Sequence, residues 1–222
     1  MSANFNLTNP ILLQRFWIPI LFQTALILVV PAQAIYTQVT GKSIILQTAP
    51  IDSYQLLRDY SQTIRYDISS QDNLRSLPGW EQLPKQQPYG NEVTFIKSGT
   101  HFYVILAAPT SPNSSGLPPA WKPVALSAEP PSQLSSDRIA LKSLAQGGII
   151  EYGLETYSIP ADQWEQVDDN LRAAQKTEPS QPQQLPPVVV EIKVDSEGNA
   201  VPISLWAQVG EGSEALIRNY RF

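Results

Sequence analysis

Residues 56–69 read LLRDYSQTIRYDIS, with two tyrosines, two arginines and two aspartates in one short run. That density of charge would suit an active-site loop. The spacing of the apolar residues argues for something else. Ile64, Tyr66 and Ile68 fall on one side of an extended chain, and Thr63, Arg65 and Asp67 fall on the other. A period of two is the mark of a strand with one dry and one wet face. Charges on a wet face are solvated and need no chemistry to account for them, so the stretch is read as a half-buried strand.

Further strands are expected on both sides of it, the first of them short and buried. GKSIILQTAPID (41–52) holds a short strand from Ile44 to Gln47, closed by Pro50. EVTFI (92–96) and HFYVILAAP (101–109) predict a hairpin across Lys97-Ser98-Gly99-Thr100. The second of these runs is apolar at almost every position, which predicts a central strand covered on both faces. Val124 and Leu126 alternate within WKPVALSA, RIALKSL (138–144) alternates likewise, and IIEYGLETYSI (149–159) is expected to continue that sheet. VVVEIKVDSEGNAVPISLWAQV (188–209) predicts a hairpin turning at Glu197-Gly198-Asn199. The period changes only in PADQWEQVDDNLRAAQK (160–176), where Trp164, Val167, Leu171 and Ala174 share one helical face. Stretches 77–91, 109–121, 129–137 and 177–187 are turn-rich, rich in proline or serine, and read as loops or linker. The chain has 20 prolines against 11 glycines in 222 residues, and proline belongs at strand edges, element ends and connections. The expected fold is mainly β: an antiparallel barrel-like or sandwich-like domain with one amphipathic helix, preceded by a single N-terminal transmembrane or signal helix.

That first helix comes from RFWIPILFQTALILVVPAQAI (15–35), which carries no charge beyond Arg15. Its apolar run approaches the roughly 20 residues that one bilayer-spanning helix requires. Arg15 is the one charged side chain in the first 34 residues and by the positive-inside tendency keeps the N-terminus in the cytoplasm. The chain then divides into a cytoplasmic N-terminus (1–15), a signal anchor or signal peptide (16–35) and an extracytoplasmic β-rich body (36–222). Ala32-Gln33-Ala34 is a small-x-small site, so cleavage after Ala34 would release a soluble product beginning at Ile35. The length of the run, with Phe16, Trp17 and Tyr36 as aromatic belts at its ends, favours retention as an anchor. A buried core helix fits least, because the run is apolar on all sides.

The formal net charge of −5, with no basic cluster, argues against nucleic acid as a partner. There is no cysteine, which excludes disulfides, thiolate metal sites and thiol nucleophiles together. His101, the single histidine, opens an apolar strand, where a structural role outweighs metal ligation. DSEGN (195–199) lacks the rest of a calcium loop and reads as a hairpin turn. No G-x-S-x-G elbow, P-loop or G-x-G-x-x-G is present, and no lysine lies in a buried, serine-paired run. Glu151 and Glu155 would share one face of an extended strand about 13 Å apart, too far for a retaining glycosidase pair, and read more simply as solvated charges. No cofactor and no metal are expected.

TGKSIILQTAPIDSYQLLRDYSQTIRYDIS (40–69) resembles the start of the GDYXXLXY family of membrane-anchored proteins. The shared pattern is a T-G-basic opener, a strand, a T-x-P-hydrophobic-D turn, then L-x-R and a strand ending in tyrosine. The name-giving octapeptide falls on Asp59 to Tyr66. Asp59, Tyr60 and Ser61 stand where the family has Gly, Asp and Tyr; Ile64 replaces its leucine, and Tyr66 keeps its final tyrosine. IIEYGLETYSIP (149–160) and DSEGNAVPISLW (195–206) are similar to later family blocks. The RFWIPILFQ opener and the YSQT spelling resemble the branch found in photosynthetic bacteria. The resemblance implies a single-span protein with a β-rich extracytoplasmic domain, encoded beside multi-span membrane proteins, and it brings no catalytic residues. Pro50, Asp52, Arg58 and Tyr66 would then form a surface groove or lock the fold, with Arg58 pairing to Asp52 or Asp67. The candidate binding residues are Asp52, Arg58, Tyr66, Glu151, Tyr152 and Glu155. The expected role is a binding or assembly module, with membrane lipid around its N-terminal helix and an integral membrane protein as partner. The alternatives are a membrane-associated hydrolase whose polar residues converge only in three dimensions, and a secreted structural protein cleaved after Ala34.

Overall fold

Most of the alternating runs form ladders. The computed structural model describes residues 10–49, 61–87, 93–111, 116–158, 188–209 and 216–221. Helix α1 (Pro10–Thr40) leads into β1 (Lys42–Gln47). After β2 (Ser61–Thr63) come a 3-10 turn at Asp67–Ser69 and the single-turn helix α2 (Gln71–Leu74). Then follow β3 (Lys85–Gln86), β4 (Phe95–Ile96), β5 (His101–Ala107), β6 (Lys122–Ser127), β7 (Arg138–Gln146), β8 (Ile149–Glu151) and β9 (Thr156–Ser158). The last strands are β10 (Val188–Val194), β11 (Ala200–Val209) and β12 (Leu216–Arg221). One four-stranded sheet has the order β1-β10-β11-β12 and the other β6-β5-β7-β8, while β2-β9 and β3-β4 form two small pairs. Neighbouring strands run antiparallel throughout, and the sheets do not close into a barrel.

The two large sheets share one core. Ile44, Leu46, Val190, Ile192 and Leu205 meet Phe102, Val104, Leu106, Leu141 and Ile150 in a single apolar cluster. Each such side chain taken out of water contributes roughly 1.5–3 kcal/mol, so burial outweighs any single polar contact described below. As the apolar run predicts, β5 is central, between β6 and β7. Its two faces differ: Phe102, Val104 and Leu106 are fully buried, whereas Tyr103 and Ile105 are half covered.

Three expectations are corrected. Phe95–Ile96 does not form a hairpin with β5; it pairs with Lys85–Gln86, and β5 takes β6 and β7 instead. Lys97-Ser98-Gly99-Thr100 does turn the chain, but Gly99 and Thr100 bond across to Ala145 and Lys97 N–H donates to Pro84 O, with no β4–β5 ladder. The run 149–159 does not continue one sheet: β8 pairs with β7, but Gly153 (φ 72°) turns the chain, and β9 pairs with β2. The opening strand is also shorter than its alternation. Ladder pairing covers Ser61–Thr63, Ile64 N–H still donates to Glu155 O at 2.7 Å, and the chain then folds into the 3-10 turn. The predicted helix at 160–176 lies outside the described residues, as do Pro50, Asp52 and Arg58.

Two prolines sit inside strands, each where a missing N–H does no harm. Pro202 lies at the bulge opposite Glu191/Ile192, on a part of β11 that β12 does not reach. Pro123 lies on edge strand β6, at the bulge opposite Ile105/Leu106. Bulges and edges are the places where a sheet tolerates proline.

Two backbone bonds tie sheet to sheet. Trp121 N–H donates to Ile45 O on β1 at 2.8 Å, and Lys142 N–H on β7 donates to Gly198 O in the β10–β11 turn at 2.9 Å. Gly198 has φ 86°, and a Cβ there would lie 3.1 Å from Ala140 O, so the close approach requires glycine.

Helix α1 outruns the apolar stretch and ends on the body. Thr37 Oγ1 donates to Asp195 Oδ2 at 2.7 Å in a buried contact, and Lys193 Nζ donates to Gln38 O at 2.6 Å. A cation at a helix C-terminus meets the negative end of the dipole. Asp195 also accepts N–H bonds from Glu197 and Asn199, which shape the hairpin turn. Burial alone would raise its pKa, but the bonds from Thr37, Asn199 and the turn amides outweigh that and hold it below the ordinary aspartate value.

Candidate functional site

The tyrosines of the two family-like blocks meet back to back. The Tyr66 and Tyr152 rings pack edge to face, with centroids 6.3 Å apart at 86°. Tyr66 OH donates to Leu154 O at 2.9 Å, and Tyr152 OH donates to Ile68 O at 2.7 Å. Each ring therefore anchors the other's stretch of backbone. Burial, with smaller contributions from Glu155 and Asp67, pushes the Tyr152 phenol well above its ordinary range, so it stays protonated. Glu155 Oε1 accepts Tyr152 N–H at 2.5 Å. The pairing of Glu151 and Glu155 along one extended face is thus overturned, because the chain turns between them at Gly153.

The same network fixes the turn carrying Asp67 and Ile68, which form part of a cleft's wall. The cleft has a volume of about 580 Å³ and lies where the two large sheets meet. Leu46 and Gln47 come from the end of β1, Ala107 to Ser111 from the end of β5 and beyond, and Pro119 to Val124 from the start of β6. The bulge at Pro123 skips Val124 in the ladder, and both residues line the cleft. Bulges commonly re-aim side chains beside functional sites. The walls are mostly apolar, with Trp121 and three prolines, and the polar groups include Asp67, Gln47 and Lys122. That mixture, at that volume, is the usual constitution of a small-molecule site.

Asp67 is the chemically distinctive member. Burial raises its pKa, and the bond that Asn73 Nδ2 donates to Oδ1 at 2.7 Å offsets only part of that. No cation stands within ion-pairing distance of it among the described residues. Lys42 Nζ lies 4.7 Å from the centroid of the Trp121 ring and donates to Ser136 O. Among the described residues, no three His, Asp or Glu side chains converge as metal ligands.

A family model described as GDYXXLXY protein matches residues 23–205. The chain belongs to the GDYXXLXY family. No curated protein and no solved structure matches it. In this GDYXXLXY protein the final tyrosine of the name motif, Tyr66, does not line the seam cleft: its side chain is fully buried, and its hydroxyl donates to backbone. Tyr152 has the same standing. Tyr66 and Tyr152 position the cleft wall from behind, and neither lines it. Glu151 and Glu155 do not line it either, and Asp52 and Arg58 lie outside the described residues. The lining residues Asp67, Trp121 and Pro123 were not singled out by sequence reasoning. Asp67 looked like one more wet-face charge. The available signal was its place directly after the motif tyrosine, where a strand had to end.

Proposed function

We propose that this GDYXXLXY protein is a membrane-tethered binding and assembly module, with its β body outside the cytoplasm and the seam cleft as its recognition site. The observation that carries this reading is the surface of α1. Trp17, Ile18, Leu21, Phe22, Leu26, Ile27, Leu28 and Val29 are all more than half exposed. Covering eight such side chains is worth on the order of 10–20 kcal/mol, far more than Gln23 and Thr24 cost. No single helix among the described residues is long and apolar enough to cross a membrane, but Trp17–Val29 and Pro31–Thr40, bent by 41°, qualify together. Pro31 supplies the bend by removing an N–H from the helix ladder. An integral membrane protein is the partner this setting favours.

Fractionation of the full chain tests the reading. The wild type should stay in the pellet through alkaline carbonate extraction, and its intact mass should include residues 1–34. Leu26→Arg with Ile27→Arg, costing roughly 2.5–3.5 kcal/mol per charge at a span's centre, should move it to the soluble fraction. A wild-type chain found soluble, or one beginning at Ile35, overturns the tether. Cross-linking in intact membranes should join the body to a multi-span protein, and failure to do so overturns the assembly role.

A further inference from the structure

We propose that a second, smaller cavity binds a small aliphatic carboxylate, a site independent of the seam cleft and of the membrane setting. It measures about 240 Å³ and is lined by Arg65, Tyr66, Ser70, Gln71, Phe95 and Ile149 among others. Gln71 is only 2% exposed. Its Oε1 accepts Ile96 N–H at 2.7 Å, and a backbone donor can be served only by the oxygen end of the amide. Nε2 is therefore a donor, and it is buried without an acceptor among the described residues. Native folds rarely leave such a group unpaired. One turn on, Arg75 stacks 5.2 Å from the centroid of the Phe95 ring. Its Nε lies 2.8 Å from Asp72 Oδ1, an ion pair by distance that is too poorly directed for a hydrogen bond, and its Nη2 is a second buried donor without a partner.

Charge points the same way. Asp72 also lines the cavity, but Arg75 neutralises it. Arg65 is exposed and forms no ion pair among the described residues. A guanidinium offers a planar fork matched to a carboxylate. Among the described residues that line the cavity, the balance is thus one cation outside any ion pair and the unpartnered Gln71 Nε2 donor, against apolar walls from Tyr66, Phe95 and Ile149; Arg75 stands behind Phe95 and is not itself a lining residue. The volume lies below the roughly 300–1,000 Å³ of sites for drug-sized ligands, so the guest is an acid of a few carbons.

The test is a titration of the full chain, in lipid nanodiscs with ¹⁵N-labelled glutamine, by acetate, propionate and butyrate. The Gln71 side-chain amide signals should shift to saturation, with affinity tightening about fourfold per methylene. Arg65→Gln, at an exposed position, should weaken butyrate about tenfold or more. Gln71→Leu, of similar volume, should weaken it as well, followed by the shifts of neighbouring backbone amides. The proposal falls if no signal saturates, if Arg65→Gln leaves affinity unchanged, or if neutral butyramide binds as tightly as butyrate. A peptide carboxyl terminus that binds more tightly than butyrate would assign the cavity to a protein partner and likewise overturn it.

Discussion

Asp67 is a carboxylate that the fold half removes from water without giving it a cation among the described residues. Its raised pKa means that the folded protein holds the proton more tightly than the unfolded chain does. That contribution to stability is complete below the unfolded value and is lost as pH rises through the folded one. At neutral pH the ionised group is a net cost. Asp67→Asn should therefore raise the Tm near neutral pH and leave it little changed at about pH 3.5; thermal melts at the two pH values decide, and an equal Tm for both proteins at neutral pH refutes the sign. Tyr66 makes the opposite prediction. Tyr66→Phe keeps the ring and loses one bond to Leu154 O, costing about 1–2 kcal/mol, whereas Tyr66→Ala empties a fully buried site and should cost about 3–5 kcal/mol. Chemical denaturation of the two variants separates the hydroxyl's share from the ring's. Tyr66 was legible in the sequence because its alternation with Ile64 and Ile68 marks a buried face. Asp67 was not, because a period-two pattern cannot show that the ladder ends at Thr63 and that the chain enters a 3-10 turn at Asp67.

At the scale of elements, runs whose own residues carried the pattern were read correctly. β7 and the β10–β11 hairpin follow their alternation, and the apolar runs at β1 and β5 are strands as read. What failed was partner choice. Phe95–Ile96 is adjacent in sequence to β5 and pairs elsewhere, since a ladder is settled by which faces can be buried together and not by nearness along the chain. β12 extends the first sheet beyond the hairpin that the sequence suggested. The joint of α1 with the body is another product of distant residues, with Thr37 and Asp195 lying 158 positions apart. Asp195→Ala should cost about 2–3 kcal/mol near neutral pH, since its bonds are charge-assisted. Because its pKa is depressed, this contribution is present above the unfolded value and fades as pH falls through the folded one. The penalty of Asp195→Ala should shrink accordingly in acid, as read by urea unfolding across pH. Thr37→Val removes a single neutral donor and should cost about 1 kcal/mol. Gly41→Ala would bring a Cβ to 2.4 Å from Thr37 O, and should disturb the joint while leaving the chain in the membrane pellet; hydrogen exchange at Gly41 and Lys193 would report the loosening.

For the whole molecule, a β body behind an apolar helix was legible in the sequence, and the seam cleft was not. The seam cleft joins residues near 46, 67, 107 and 121, four regions that no local pattern links. Beside it, the Trp121–Ile45 bond stitches β1 to the entry of β6. The mounting of α1 matters at this scale too. A flexible leash lets its cargo take any heading. Here the last turn of the helix is bolted to the hairpin through Thr37 and Gln38, so the body cannot swivel freely about its stem. Whatever grips one flank of that stem also sets the compass bearing of the cleft, and twisting the stem in place would steer it.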